Sequence, residues 1–275
     1  MIKLIATDLD GTLLLPDHVT VSEENIAALR AASEQGIKIV IASGRTHGVF
    51  SKGVAELDVV DFAIMSNGAA FMAYDHGRPL DRSPVTEMPY EVWTRAYDII
   101  ASAGAHPEIY AFGHSFMDES RREGFASPVI TPALVEELKS HVGFVDDVKE
   151  TLAGKSAEKI CVLSVPEDTR DRMMAQLRAD DRIALVNSIP GNVEVNAAGT
   201  GKGNALAMLC KELGIMPDEV MALGDAENDL DMLRFAGCSV AMGNASDEVK
   251  AVCRYVTDRS ENHGVAKAVY KYAIK

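Results

Sequence analysis

Two aspartates one residue apart, Asp8 and Asp10, close a short apolar run near the start of the chain, Lys3-Leu4-Ile5-Ala6-Thr7-Asp8-Leu9-Asp10-Gly11-Thr12-Leu13. In an extended backbone, residues two apart project to the same side, so both carboxylates leave the strand end together. Like charges this close repel, and the pair calls for a cation, a shared proton, or both. Gly11 lets the chain turn sharply, and the Thr12 hydroxyl can lock the turn. Further polar groups follow other apolar runs: Ser43-Gly44-Arg45, Lys202 within Gly199-Thr200-Gly201-Lys202-Gly203, and Asp225, Asn228 and Asp229 at i, i+3 and i+4. Taken singly, each is an ordinary feature. Ser-Gly is a common turn, Lys202 a solvated lysine near a helix start, and Asp225/Asp229 an acidic helix N-terminus. Their weight comes from one another. If the strands before them are parallel, their C-terminal ends meet on one edge of a sheet, where open α/β folds bind ligands. Carboxylate oxygens without a His or Cys partner suit a hard cation, here Mg²⁺.

The elements that must position these groups can be read from the hydrophobic pattern. A helix is expected over 22–35, with Ser22 as its N-cap and Gly36 ending it. Buried strands are expected at 37–42 and 62–65, the second ending in Ser66-Asn67-Gly68. Strand, helix, strand with nearly all-apolar strands predicts a parallel sheet covered on both faces. The pattern then changes. A hairpin over 71–85 leads past Pro84 and Pro89 into a region expected to hold helices at 90–102, 132–141 and 168–178. Strands at 108–112, 159–164 and 183–189 complete it, and the segment ends at Pro190-Gly191. After it the first pattern resumes: a helix at 204–213, strands at 220–223, 238–242 and 255–257, and a closing helix from 265. The sequence thus predicts one domain from 1–84 and 191–275, interrupted by an inserted α/β domain over 85–190.

A chain of 275 residues is long enough for two such domains. With 27 basic against 41 acidic residues its net charge is −14, which argues against a nucleic-acid partner or an anionic membrane surface. Cys161, Cys210, Cys238 and Cys253 form no Cys-x-x-Cys pair and read as buried free thiols of a reducing compartment. The acidic pair falls where a signal peptide would need its apolar core, and no long uncharged apolar run occurs. A soluble, cytoplasmic protein is expected, as a monomer or small homo-oligomer.

Asp-x-Asp-Gly-Thr-Leu, the strand-end Ser-Gly-Arg, the Lys202 loop and Gly-Asp-x-x-Asn-Asp together resemble the four motifs of the haloacid dehalogenase superfamily. The order of the motifs and the position of the insertion are similar to its Cof-type, class IIB phosphatases. Asn67-Gly68 and Asn262-His263-Gly264-Val265-Ala266 also look like stretches of that family. The resemblance covers the whole core and implies a Rossmann-like parallel-sheet core with an inserted α/β cap of the C2 type. It implies Asp8 as the nucleophile that forms an aspartyl-phosphate, and Asp10 as general acid and then base. Lys202 would add positive charge at the transition state. Leu9, Thr12, Ser43, Gly44, Lys202 and Asn228 would contact the phosphate, and Mg²⁺ would be held by Asp8, Asp10, Asp225 and Asp229.

The implied substrate is a small phosphorylated metabolite, a sugar phosphate or a nucleotide- or cofactor-related phosphate. A phosphosugar mutase on the same core and a non-catalytic sensor of phosphorylated ligands are the alternatives. The inserted region offers His106, Tyr110, His114, Arg121, Arg122 and Asn187-Ser188 as possible readers of the leaving group, although an exposed or core role outranks that reading for each. Arg45 is open between a substrate contact and a structural ion pair. Trp93, Met173 and Met174 read as helix packing.

Overall fold

In the computed structural model, residues 1–50, 52–55, 57–126, 132–187 and 191–274 are described. The chain begins with β1 (Leu4–Thr7), β2 (Lys38–Ala42), β3 (Phe62–Met65), β4 (Ala70–Asp75) and β5 (Arg78–Pro84). It continues with β6 (Glu108–Ala111), β7 (His114–Asp118), β8 (Val142–Val145), β9 (Lys159–Val162), β10 (Ile183–Val186) and β11 (Val193–Ala197). Then come β12 (Val220–Gly224), β13 (Cys238–Ala241) and β14 (Tyr255–Val256). Among the described residues these form two sheets, ordered β14-β13-β12-β1-β2-β3-β4-β5 and β10-β11-β9-β6-β7-β8.

In the larger sheet, β14, β13, β12, β1, β2 and β3 run parallel, and β4 turns back against β3. Strands alternate their side chains between two cores. Ile5, Ile39, Ile41, Met221 and Leu223 pack with Ala28, Leu29 and Ala32 of the helix Glu23–Glu34. Leu4, Ala6, Val40, Ala222 and Ala241 point the other way, onto Leu206 and Leu209 of the helix Lys202–Leu213 and onto Met232 and Leu233. The expected doubly covered parallel sheet is present. From β1 the chain builds outward through β2 and β3, and from β12 it builds the opposite way through β13 and β14. The seam between β1 and β12 is therefore the topological switch point, where such sheets leave a crevice outside their strand ends.

The smaller sheet is antiparallel except for β7 with β8. Ile109, Ile160, Val162, Val193 and Val195 pack on its one face against Val92, Trp93, Ala96 and Ile100, and against Met173, Met174 and Leu177. Trp93 also donates its indole N–H to the Lys155 carbonyl at 2.9 Å, so the packing role expected for Trp93, Met173 and Met174 is what the helices Tyr90–Ser102 and Glu167–Arg178 display. The alternate positions carry Glu108, Tyr110, Lys159, Cys161, Glu194 and Asn196, all buried. There Lys159 Nζ meets Glu194 Oε1 at 2.9 Å.

The chain divides into two compact units, one of Met1–Gly44, Phe50–Ser83 and Gly201–Lys275, the other of Arg45–Val49 and Pro84–Thr200. Three boundaries differ from the sequence reading, the first only in that Pro84 falls in the second unit. Residues 191–200 belong to the second unit because β11 pairs with β9 and β10. Arg45–Val49 joins it because Gly48 N–H donates to the Gly113 carbonyl at 2.9 Å and Val49 packs on Tyr110 and Cys161. The expected strand over 183–189 ends at Val186, and residues 188–190, with the hinge placed at Pro190, lie outside the described residues. β7, β8 and β11 were not anticipated. The thiols are free, but Cys253 is only half-buried.

Candidate active site

β1 delivers Asp8 at the switch point, 5% exposed, its N–H donating to the Leu223 carbonyl of β12 at 3.0 Å. A wide turn over Leu9–Leu13 follows, closed by Leu14 N–H on the Leu9 carbonyl at 2.9 Å. Turns of this i→i+5 kind are rare and concentrate at functional positions. Gly11 takes φ +80° within it, and a Cβ there would lie 2.4 Å from Asp225 Oδ2. Conformation and space both require glycine.

Lys202 opens the helix Lys202–Leu213 and is fully buried. Its Nζ donates to Asp8 Oδ1 and to Asp229 Oδ1, at 2.7 Å each. The second oxygen of Asp229 accepts the N–H groups of Asp225 and Ala226, both at 3.0 Å. Asp225 in turn receives the Thr12 hydroxyl at 2.8 Å and the Asn244 amide at 3.2 Å. One carboxylate oxygen from each of Asp8, Asp225 and Asp229 falls within 4.8 Å of the others.

Burial pushes the Asp8 carboxyl well above its usual range; Lys202 pulls it back, while Asp229, Asp225 and Asp10 push it further up. Burial, then Asp229, raises Asp225 to about 7, against the Thr12 hydrogen bond and Lys202. For Lys202, burial disfavours the ammonium, but Asp229 and Asp8 outweigh it and keep the side chain charged. Three carboxylates around one ammonium leave negative charge uncompensated in a largely buried space. An all-oxygen donor set with surplus charge fits a hard divalent cation such as Mg²⁺.

The other residues singled out by sequence lie as follows. Leu9 is buried at the first position of the turn. Thr12, expected to contact phosphate, donates its hydroxyl to Asp225, because the turn carries it under that carboxylate. Asp10 is brought to His18, whose Nδ1 is 2.8 Å from Asp10 Oδ1. Ser43 is buried after β2, its N–H on the Ile64 carbonyl at 2.9 Å and its carbonyl receiving Asn67 N–H at 3.0 Å, with half-buried Gly44 next. Asn228 donates to Asn67 Oδ1 at 3.3 Å. Arg45 lies in the second unit, where its charge acts on Tyr110. There Arg121 donates to the Ala105 carbonyl and Arg122 forks onto Glu119. Tyr110 is buried and His114 exposed. His106 is half-buried, and Ser188 lies outside the described residues. Sequence reasoning missed Asn244, which also donates to the Gly11 carbonyl at 2.8 Å. The strand-end rule applied to β13 would have found it. Asp231, which receives the Gly203 N–H at 2.9 Å and so holds the start of the Lys202 helix, had no such signal.

Parallel strands reversing direction of growth at a carboxylate cluster, with a buried lysine between two of the acids, define a hydrolase class. The chain belongs to the haloacid dehalogenase-like hydrolases, a family matched over residues 5–269. It is 31% identical over 278 residues to a Bacillus subtilis 5-amino-6-(5-phospho-D-ribitylamino)uracil phosphatase, YcsE, covering 99% of this chain and 96% of that protein. A Serratia proteamaculans HMP-PP phosphatase is 33% identical over 258 residues, covering 92% and 88%. A solved haloacid dehalogenase-like hydrolase of B. subtilis superposes with a TM-score of 0.79 at 28% identity, covering 98% of this chain and all of that one. The first two of these relatives are phosphatases, and the chain is likewise an enzyme of the phosphoric monoester hydrolase class. Among the described residues no helix is long and apolar enough to cross a membrane.

Proposed function

We propose that the protein hydrolyses a small phosphorylated metabolite, a sugar phosphate or a nucleotide- or cofactor-related phosphate, through a covalent phosphoenzyme on Asp8. The observation that carries this reading is the Asp8–Lys202–Asp229 array, in which the Lys202 ammonium favours the carboxylate form of a buried nucleophile against the opposing effect of burial. Lys202 engages Asp8 Oδ1, and Asp8 Oδ2 is the oxygen that attacks phosphorus in line. As the P–O bond to the leaving group breaks, Asp10 gives its proton to the departing oxygen. Asp10 then takes a proton from the water that attacks the aspartyl-phosphate, releasing phosphate and restoring Asp8. The Lys202 ammonium offsets charge on the phosphoryl oxygens in the transition state. Leu9 N–H, Ser43, Gly44 N–H and Asn228 are the groups proposed to hold those oxygens. Asp8, Asp225 and the Asp10 carbonyl would hold Mg²⁺, with Asp229, whose oxygens already accept three hydrogen bonds, acting through water. When bound, the cation would neutralise the crowded anions so that an anionic phosphate can approach an anionic nucleophile. The region 85–190 is proposed as the cap that selects the leaving group.

Phosphate release from a panel of phosphorylated metabolites and p-nitrophenyl phosphate, with Mg²⁺ and with EDTA, tests the reading. Release that needs Mg²⁺ is expected. Transfer of the phosphate to an isomeric sugar without release would replace the hydrolase by a mutase. Asp10→Asn should lower kcat/KM for sugar-alcohol esters by about a hundredfold, the lower range of general-acid effects. Nitrophenol, which departs without a proton, should be slowed no more than a few-fold. Equal slowing of both esters would remove Asp10 from the acid role.

A second expectation concerns stability. Asp225 carries a pKa of about 7 in the fold against about 4 unfolded. Over that window the folded state holds the proton that the unfolded state releases, so this group's contribution to stability is full below pH 4 and is lost as pH rises through 7. The metal-free protein should therefore lose Tm between pH 5 and 8. Mg²⁺, which binds the ionised carboxylates, should restore it most at pH 8, by about 5 °C or more. Glu108, buried in the second unit and likewise raised to about 7, adds a slope of the same sign. The diagnostic is accordingly the difference between melts with and without Mg²⁺. A difference that is absent, or independent of pH, would contradict the cation site.

A further inference from the structure

Three carboxylates of the site are fixed from within it, Asp8 and Asp229 by Lys202 and Asp225 by Thr12 and Asn244. Asp10 differs. Its backbone leaves helical values at φ −75°, ψ 116°, it precedes a left-handed Gly11, and 34% of its side chain is exposed. A proton donor must hold one rotamer to within a few tenths of an ångström of the departing oxygen.

One restraint on Asp10 comes from a short hairpin. Leu14 and Val21 bridge antiparallel. Leu15 N–H donates to the Thr20 carbonyl and His18 N–H to the Leu15 carbonyl, both at 2.9 Å. The Asp17 carboxylate closes the tip, accepting the N–H groups of Val19 and Thr20 at 2.9 Å each and the Thr20 hydroxyl. His18 sits in this tip at φ +59°, a conformation uncommon for a residue with a side chain. Its ring reaches back eight residues to Asp10, Nδ1 to Oδ1 at 2.8 Å.

We propose that His18 is a positioning residue for Asp10. The hydrogen bond holds Oδ1 and so orients the carboxyl that exchanges protons with the leaving group and the hydrolytic water. The arrangement parallels other acid–base sites, in which the proton-transfer group is oriented by a third residue. Orientation is served whichever way the Nδ1 proton lies, because the ring donates in one tautomer and accepts in the other. This inference rests on the acid–base reading of Asp10 given above.

The test compares His18→Ala and His18→Asn with the parent enzyme in Mg²⁺, on a sugar phosphate and on p-nitrophenyl phosphate. Comparing kcat/KM confines the readout to steps up to leaving-group departure. His18→Ala should lower kcat/KM for the sugar phosphate by about tenfold to a hundredfold, part of the general-acid factor, and for the nitrophenyl ester by less than about threefold. His18→Asn, whose amide can donate or accept near the Nδ1 position, should restore most of the loss. In an Asp10→Asn background, His18→Ala should add nothing, because the interaction it removes is already gone. A crystal structure of His18→Ala, needing no turnover, should show the Asp10 carboxyl in more than one rotamer. Equal losses on both esters, a loss that persists beside Asp10→Asn, or faster sugar-phosphate hydrolysis would overturn the proposal. If Asp10→Asn itself slows both esters alike, the failure belongs to the acid–base reading and not to His18 alone.

Discussion

Asp8→Asn is expected to give a folded protein whose phosphate release falls below about one ten-thousandth of the parent rate, the scale seen when a covalent nucleophile is removed. The amide is nearly isosteric with the carboxylate, so packing at the end of β1 survives, but it cannot attack phosphorus. Stability should move little or rise. Asp8 is a buried acid pressed by Asp229, Asp225 and Asp10, and replacing it removes one of several like charges while Lys202 keeps Asp229 as partner. Melting in EDTA at pH 8 should therefore give a Tm equal to or above that of the parent. Phosphate release within tenfold of the parent would sink the nucleophile assignment. A large drop in Tm would mean that Asp8 is structural.

Lys202→Met should have the opposite signature. The ammonium is fully buried between Asp8 and Asp229 at 2.7 Å from each. Taking away one partner of a buried charged network leaves the others uncompensated, at a cost of about 3–5 kcal/mol. For a protein this size that corresponds to a fall in Tm of about 10 °C. The fall should be largest at pH 8 without metal. It should shrink towards pH 5, where Asp225 and Asp8 take up protons, since their pKa values are already raised with the lysine present. Added Mg²⁺ should recover part of the stability, but not the rate, which loses about a hundredfold to a thousandfold with the transition-state charge. An unchanged Tm in EDTA at pH 8 would contradict the charge balance described for the site.

The parts of this structure that were legible in the sequence are those with strong local signals. β3 and the helix Tyr90–Ser102 fall where apolar runs and helical spacing put them. The strand-end carboxylates could be collected because a parallel sheet brings like ends together. The smaller sheet was harder, since half of its positions are polar for reasons invisible locally. Glu194 and Asn196 interrupt the apolar run over 193–197, although Glu194 is buried against Lys159 of β9. His18 had no signal either, because its partner is fixed by the conformation of a hairpin tip rather than by spacing. Thr12 is singled out by its place in the motif, but the partner of its hydroxyl is not legible from spacing. Its neighbour in space, Asp225, is 213 positions away.

That separation bears on how the protein is made. β1 is the middle of its sheet, bonded on one side to β2 and on the other to β12, Leu4 opposite Val220. The strand is apolar and leaves the ribosome ahead of both partners, yet its second neighbour follows some two hundred residues later, roughly 10–40 s at ordinary rates of synthesis. Until then an uncovered edge of hydrophobic backbone waits, the kind that invites pairing with another chain. All six strands of the smaller sheet emerge in this interval, so that unit can close while its host is still open. The nascent chain, more than the finished enzyme, is therefore the form exposed to aggregation. Slowing translation between β5 and β12 should raise the insoluble fraction without altering the activity of the molecules that escape it.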